Sequence, residues 1–366
     1  MSEQLLLKPV KLGRYELNNR VVMAPMTRDR ADNPDLAPTA LHALYYGQRA
    51  TAGLIVTEGS QISPQGTGYI NTPGIYSAAQ IEGWKKVTEA VHAEGGHIFL
   101  QLWHVGAISH PDFHGGALPV SASAFNPKSK AYTPAGELKE TVTARALEVH
   151  EIEAVVRDFA QGAKNAIAAG FDGVEIHGAN SYLIEQFLRD SSNARTDGYG
   201  GSIANRARFL FEVVEAVGRA VGFDRTGLRL SPANTWNVPA DSDSRALYDY
   251  VIAKLSDYGL AYLHLRDPAG DVSAIPNMVA NVTEHYRRIY KGTLITNTGY
   301  TRETGNAAVA EGRADLVAFG VPFIANPDLV ERFRAGAELA KPDQTTFYTP
   351  GEKGYVDYPA LQAQAA

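Results

Sequence analysis

Eight short runs of Val, Ile, Leu and Phe recur along the chain, and each is followed by a longer segment whose apolar residues share one helical face. The runs are Arg20-Val-Val-Met-Ala-Pro25, Gly53-Leu-Ile-Val-Thr-Glu58, His97-Ile-Phe-Leu-Gln-Leu-Trp103, Gly173-Val-Glu-Ile-His177, Gly227-Leu-Arg-Leu-Ser231, Leu260-Ala-Tyr-Leu-His-Leu265, Thr293-Leu-Ile-Thr296 and Leu316-Val-Ala-Phe319. Short apolar runs between amphipathic stripes read as parallel strands buried on both faces. Eight is the number a closed parallel barrel needs, so the expected fold is α/β, an eight-stranded (β/α)8 TIM barrel.

The connecting segments carry helix punctuation. Ser77 with Gln80 three residues on forms a capping box, Ile81, Trp84, Val87 and Val91 follow on one face, and Gly95-Gly96 ends the segment. Ile152, Val155, Val156, Phe159, Ala163 and Ile167 make a second stripe that stops at Gly170. Ile203, Ala207, Leu210, Phe211, Val214 and Val217 make a third, ended near Gly222. Such stripes pack against the sheet and so locate the strands.

Residues 1–366 read as a single domain with two excursions. Residues 106–143, rich in Pro, Gly, Ser and Ala, are too long for an ordinary connection and are expected to form a lid after the third strand. Residues 347–366, with Phe347, Tyr348, Tyr355 and Tyr358, carry more aromatics than a disordered end and are expected to fold back near the active site. A chain of 366 residues buries roughly three quarters of its unfolded surface without disulfides or metals. The net charge of −6 and the absence of long basic runs argue against nucleic acid and anionic membrane as partners. The lack of cysteine excludes iron–sulfur clusters, thiol nucleophiles and Cys-zinc sites, and no metal is expected. No apolar segment approaches about 18 residues, and the start Met1-Ser-Glu-Gln-Leu-Leu-Leu-Lys8 lacks a leader pattern, so a cytoplasmic protein is the expectation.

Chemistry concentrates in Gly173-Val-Glu-Ile-His177-Gly-Ala-Asn180-Ser-Tyr182, where an apolar run breaks into three hydrogen-bonding side chains. If the strand ends near His177 and a helix begins at Leu183, imidazole, amide and phenol converge at a strand's carboxyl end, where α/β proteins keep their sites. His177 and Asn180 can aim two neutral donors at one oxygen, and Tyr182 can deliver a proton without being charged first. The plain alternative is that His177 and Asn180 tie a loop to backbone.

Arg229 lies inside Leu228-Arg-Leu230, where burial costs several kcal/mol unless an acceptor meets it. That acceptor is either Glu175, in an internal salt bridge, or a ligand. Gln101, inside Phe99-Leu-Gln-Leu102, is either a member of a packed network or a partner for a heterocycle edge with alternating N–H and C=O groups. Asn297-Thr-Gly299-Tyr300 and Gly320-Val321 follow the last two runs, the usual phosphate position of barrels. Together these fit a flavin mononucleotide better than a dinucleotide, since no Gly-x-Gly-x-x-Gly follows a strand.

Nearly end to end, the chain resembles the Old Yellow Enzyme family of flavoprotein ene-reductases. The resemblance rests on Asn19-Arg-Val-Val-Met-Ala-Pro-Met-Thr-Arg28, Tyr45-Tyr-Gly-Gln-Arg-Ala50, Gln101-Leu-Trp-His-Val-Gly106, His177-Gly-Ala-Asn180 with Tyr182, Arg195-Thr-Asp-Gly-Tyr-Gly-Gly-Ser202 and Phe323-Ile-Ala-Asn-Pro-Asp-Leu329. It implies an α/β barrel, bound FMN, NADPH as usual reductant with NADH as the other candidate, and reduction of activated C=C bonds in unsaturated carbonyls, maleimides and nitroalkenes. Nitro compounds and nitrate esters are further candidate oxidants. By resemblance, Pro25, Met26, Thr27 and Gly59 line the flavin, Gln101 and Arg229 hold its pyrimidine edge, and Thr298, Gly299, Gly320 and Val321 seat the phosphate. His177 and Asn180 bind the substrate oxygen, Tyr182 donates the proton, and Tyr69, Trp103 and Tyr355 wall the pocket.

Three positions depart from the family pattern. Val321 stands where arginine is common and normally helps neutralise the phosphate, which implies weaker FMN retention that Val321→Arg would restore. Ala107 replaces a frequent arginine and Ala204 a glutamate, which bears on lid and loop packing. The rival from another class is a protein that stores or senses FMN without turnover. Partners beyond small molecules are not expected, and the chain is read as a monomer or small homo-oligomer.

Overall fold

The computed structural model describes residues 4–361. Its centre is a closed barrel of eight parallel strands: β1 Val21–Met23, β2 Leu54–Gln61, β3 Ile98–Trp103, β4 Gly173–His177, β5 Thr226–Leu230, β6 Tyr262–Arg266, β7 Leu294–Asn297 and β8 Leu316–Phe319. β8 pairs with β1 to close the ring. The eight runs read from the sequence are these strands, with ends that differ by at most three residues.

Alternation along the strands sorts side chains by face. Leu100, Leu102, Val174, Ile176, Leu228, Leu230, Leu263 and Leu265 point outward and join the main apolar core under the helices. Each such side chain, fully buried, contributes about 2 kcal/mol. Inward-pointing Val22, Leu54, Val56, Phe99, Tyr262, Ile295 and Leu316 fill the amino end of the barrel. An antiparallel hairpin, Val10–Leu12 with Tyr15–Leu17, closes that end with Leu12 and Leu17. The inward layer above is polar: Gln101, Glu175, Arg229, His264 and Asn297 are all buried there. Packing therefore fixes the bottom of the barrel and leaves the carboxyl end for chemistry.

The outer ring includes α1 Ala40–Gly47, α2 Ala78–Ala93, α3 Val149–Ala168, α4 Arg208–Val221, α5 Ser244–Leu255, α6 Val282–Arg287, α7 Arg302–Ala310 and α8 Leu329–Ala335. α2 starts at the expected capping box: Ser77 accepts from the Gln80 amide while the Gln80 side chain accepts from the backbone amide of Ser77. The third stripe runs through a short helix, Ile203–Arg206, and on into α4 across Ala207, whose backbone stays helical, and the Arg206 guanidinium meets the Leu188 carbonyl at 2.8 Å and Asp241 at 3.1 Å. Among the described residues, no helix is long and apolar enough to cross a membrane.

Residues 106–143 leave from the carboxyl end of β3 and contain a hairpin, Lys130–Tyr132 with Leu138–Glu140. A two-residue strand, Val120–Ser121, pairs in parallel with Arg145–Ala146. The root of this excursion is tied to the helix after β4: Gln186 Oε1 accepts from the Ala107 amide at 3.0 Å and from Ser121 at 2.9 Å. Ala107 itself is fully buried, whereas Ala204 is exposed.

The tail is held by three buried arginines. Arg28 donates to the carbonyls of Phe347 (3.0 Å) and Gly354 (2.8 Å), and Arg30 to those of Thr346 and Phe347, both at 2.8 Å. Arg49 donates to the Tyr355 carbonyl at 3.4 Å and anchors it to the body through the Phe323 and Ile324 carbonyls at 2.9 and 3.0 Å. The end of the expected tail, residues 362–366, lies outside the described residues.

Candidate active site

At the carboxyl end of β4 the chain turns sharply. Asn180 and Ser181 both adopt left-handed backbone, with φ of 57° and 68°. Asparagine tolerates that region, while serine does so at a cost that a packed environment must offset. Here the Ser231 hydroxyl accepts from the Asn180 amide at 2.8 Å, and Asn234 donates to the Ser181 hydroxyl at 2.8 Å. The turn brings His177, Asn180 and Tyr182 onto one cavity, whose wall also includes Pro25, Thr27, Gly59, Gln101, Trp103 and Arg229.

The protonation states follow from the surroundings. Burial pushes His177 well below the ordinary imidazole range, and the nearby Arg229 charge pushes the same way. The ring is therefore neutral. The Ala179 amide donates to its Nδ1 at 3.3 Å, which assigns the proton to Nε2. Burial raises Tyr182 well above the usual phenol value, so it stays protonated. Its hydroxyl donates to the Tyr69 hydroxyl at 3.0 Å. Trp103 packs edge-to-face against Tyr182 at 5.1 Å and stacks with Tyr69 at 5.2 Å.

Below this layer lies a buried network. Glu175 accepts from Gln101 Nε2 at 2.8 Å and from His264 Nδ1 at 2.8 Å. Burial alone would raise its pKa, but His264, Arg229 and Gln101 together hold it below the ordinary carboxylate value. Arg229 does not form the internal salt bridge considered above. Its Nη2 donates to Asn297 at 3.0 Å and its Nε is buried without a partner. Burial lowers it only to about 10, so it remains a cation. Gln101 is a member of a packed network, yet with Nε2 committed to Glu175 its oxygen remains for the cavity.

These residues fit a flavin. The unpartnered Arg229 Nε, Asn180 Oδ1 and Trp103 Nε1 are buried polar atoms that the protein leaves open around one cavity, and buried polar atoms are otherwise nearly always satisfied. Gly59 follows an irregularity in β2, and a Cβ there would lie 2.6 Å from the Trp103 ring. At the end of β7, Thr298 has φ 95°, a strained conformation for a β-branched residue, and Gly299 follows at 76° with open space around it. Strain of this kind gathers at ligand clamps. Gly320 ends β8 beside Met26, 3.5 Å from its sulfur to a built Cβ, and Val321 is 52% exposed.

Tyr355 is not where the sequence reading put it. It is fully buried, stacked on Tyr45 at 3.9 Å, with Arg28 and Arg30 over its ring at 5.2 and 4.8 Å. The Arg28 and Arg30 latch draws this part of the tail inward, away from the cavity. Of the tail aromatics it is Tyr348, 61% exposed, whose electrostatic effect is felt at the site, adding to the rise that burial gives Tyr69 and Tyr182. Its only sequence signal was membership of the same aromatic tail.

Residues 5–340 match the model of the NADH:flavin oxidoreductase / NADH oxidase family. The chain is 46% identical over 361 residues to 12-oxophytodienoate reductase 1 of Oryza sativa subsp. japonica, covering 98% of this chain and 93% of that protein. It is 43% identical over 371 residues to 12-oxophytodienoate reductase 2 of Arabidopsis thaliana, covering 98% and 96%. Among solved structures, morphinone reductase in complex with tetrahydroNAD superposes with a TM-score of 0.91 at 47% identity over 97% of each chain. The old yellow enzyme homologue from Zymomonas mobilis gives 0.93 at 42%, covering 97% of this chain and 99% of that one. With this barrel and this cavity, the chain belongs to the Old Yellow Enzyme family of FMN flavoprotein oxidoreductases.

Proposed function

We propose that the protein is a nicotinamide-dependent ene-reductase acting on α,β-unsaturated ketones, aldehydes, maleimides and nitroalkenes, with NADPH as reductant. The observation that carries this reading is the meeting of His177, Asn180 and Tyr182 on one cavity, the imidazole held neutral and the phenol protonated by burial. The solved relative that holds tetrahydroNAD supports a nicotinamide as the reductant.

When bound, FMN would supply hydride transfer between the nicotinamide and the activated C=C bond of the substrate. Thr27, Gly59, Gln101 and Arg229 would hold the ring, and Thr298, Gly299, Gly320 and Val321 the phosphate. His177 Nε2–H and the Asn180 amide bind the carbonyl or nitro oxygen and polarise the conjugated bond. Such donors are worth about 3 kcal/mol each when aimed at developing charge. Tyr182 gives its proton to the α-carbon, and Tyr69 at 3.0 Å stabilises the phenolate left behind. Trp103 and Tyr69 keep water from that exchange.

Storage or sensing of FMN gives no use for an imidazole and an amide converging beside a protonated phenol. Anaerobic titration tests the point: NADPH is expected to bleach the yellow protein and 2-cyclohexenone to restore its colour. A protein that bleaches but does not recover colour with any activated alkene would contradict the reading.

A further inference from the structure

The inward face of β6 presents Tyr262, His264 and Arg266 in turn, so Arg266 tops the column at the carboxyl mouth. It is half-buried, and its guanidinium lies 4.5 Å above the ring of Trp236, which is 53% exposed. Among the described residues the Arg266 guanidinium forms no ion pair and no hydrogen bond. Burial disfavours its charge and Glu185 favours it without a hydrogen bond or ion pair, since the neighbouring carboxylates are bound elsewhere. Glu185 is bound by Arg189 at 2.7 Å and Tyr248 at 2.8 Å, and Asp267 by Thr283 and Tyr300, both at 3.0 Å.

The loop under Arg266 belongs to the site. Ser181, between Asn180 and Tyr182, donates to the Trp236 carbonyl, and Asn234 donates back to Ser181 at 2.8 Å. Arg266 also stands close enough to Arg229 to disfavour its charge. Two arginines therefore share this mouth, while the buried Glu175 is committed to His264 and Gln101. A guanidinium resting on an aromatic face, with its edge N–H groups free, suits a carboxylate or phosphate.

We propose that Arg266, carried on Trp236, is a specificity-determining residue that binds an anionic group on the molecule entering the mouth, either the carboxylate of an unsaturated acid or the phosphate of the reductant. The inference rests on the ene-reductase reading. It adds a preference for charged over neutral molecules at the same site.

The test compares 4-oxo-2-pentenoate with its methyl ester, and NADPH with NADH, in the FMN-loaded wild type, Arg266→Gln and Arg266→Lys. Arg266→Gln is expected to raise KM about tenfold for the anionic member of one pair, the loss of one charge-assisted contact, and less than about twofold for its neutral or less charged counterpart. Loss confined to the acid identifies the carboxylate, and loss confined to NADPH the reductant's phosphate. Arg266→Lys is expected to recover part of the discrimination. Should Arg266→Gln fail to fold, wild-type KM for the acid is expected to rise with salt while that for the ester stays level. Equal effects on both members of both pairs, a change in FMN affinity alone, or salt-independent wild-type KM for the acid and for NADPH would overturn the proposal. Failure of the wild type to reduce even the ester removes the ene-reductase reading instead.

Discussion

Single side chains at the mouth of the barrel are tuned by burial more than by charge. Removing water lowers His177 and raises Tyr182, so one is a neutral donor and the other a protonated acid over the whole neutral range. The two half-reactions should therefore respond differently to Tyr182→Phe. Stopped-flow traces are expected to show the oxidative step slowed by about a hundredfold or more and the reductive step nearly unchanged. Equal slowing of both would remove Tyr182 as proton donor. That His177, Asn180 and Tyr182 meet on one cavity was readable from sequence because polar groups crowd the end of an apolar run, which strand packing does not explain. The network among Gln101, Glu175 and His264 was not readable, because it depends on the register of β3, β4 and β6 around a closed ring.

Among the elements, the strands were the clearest in the sequence, since a strand buried on both faces leaves an unbroken apolar signature. The tail was the least clear. Its aromatic content showed that it packs, but which aromatic is buried against Tyr45 and which stays exposed depends on where Arg28 and Arg30 find carbonyl acceptors, and no local pattern encodes that. The resulting exchange of roles between Tyr355 and Tyr348 can be measured. Tyr355→Ala empties a fully buried, stacked position and is expected to cost about 3–5 kcal/mol, seen as a thermal midpoint several degrees lower. Tyr348→Ala, at an exposed position, is expected to leave the midpoint in place and raise KM for 2-cyclohexenone severalfold. Matching losses of stability in the two variants would contradict this division.

For the whole molecule, buried groups on both sides of neutrality set the pH range of stability. Burial raises Glu58 to about 8 and Asp29 to about 7, so the native state holds protons that the unfolded chain has released. Stability from these groups is greatest below the ordinary carboxylate pKa and falls as pH rises through about 7 and 8. Burial lowers His42 to about 4 and His104 to about 3, so there the unfolded chain takes up protons first, and stability falls as pH drops below about 6.5. Glu58→Gln is expected to flatten the alkaline fall of the thermal midpoint between about pH 6 and about pH 9, with no such effect on the acid side. An alkaline limb as steep as wild type would show that Glu58 does not titrate there. The same closed barrel that buries these groups also points Gln101, Arg229, His177 and Asn180 at one cavity, and that convergence is the central claim. A crystal structure of the FMN-loaded protein tests it most directly. The account predicts the pyrimidine edge against Gln101 and Arg229, the phosphate at Thr298, Gly299 and Gly320, and His177 and Asn180 free to grip an oxygen above the ring. A flavin bound elsewhere on the molecule, or a mouth that excludes it, would contradict the account.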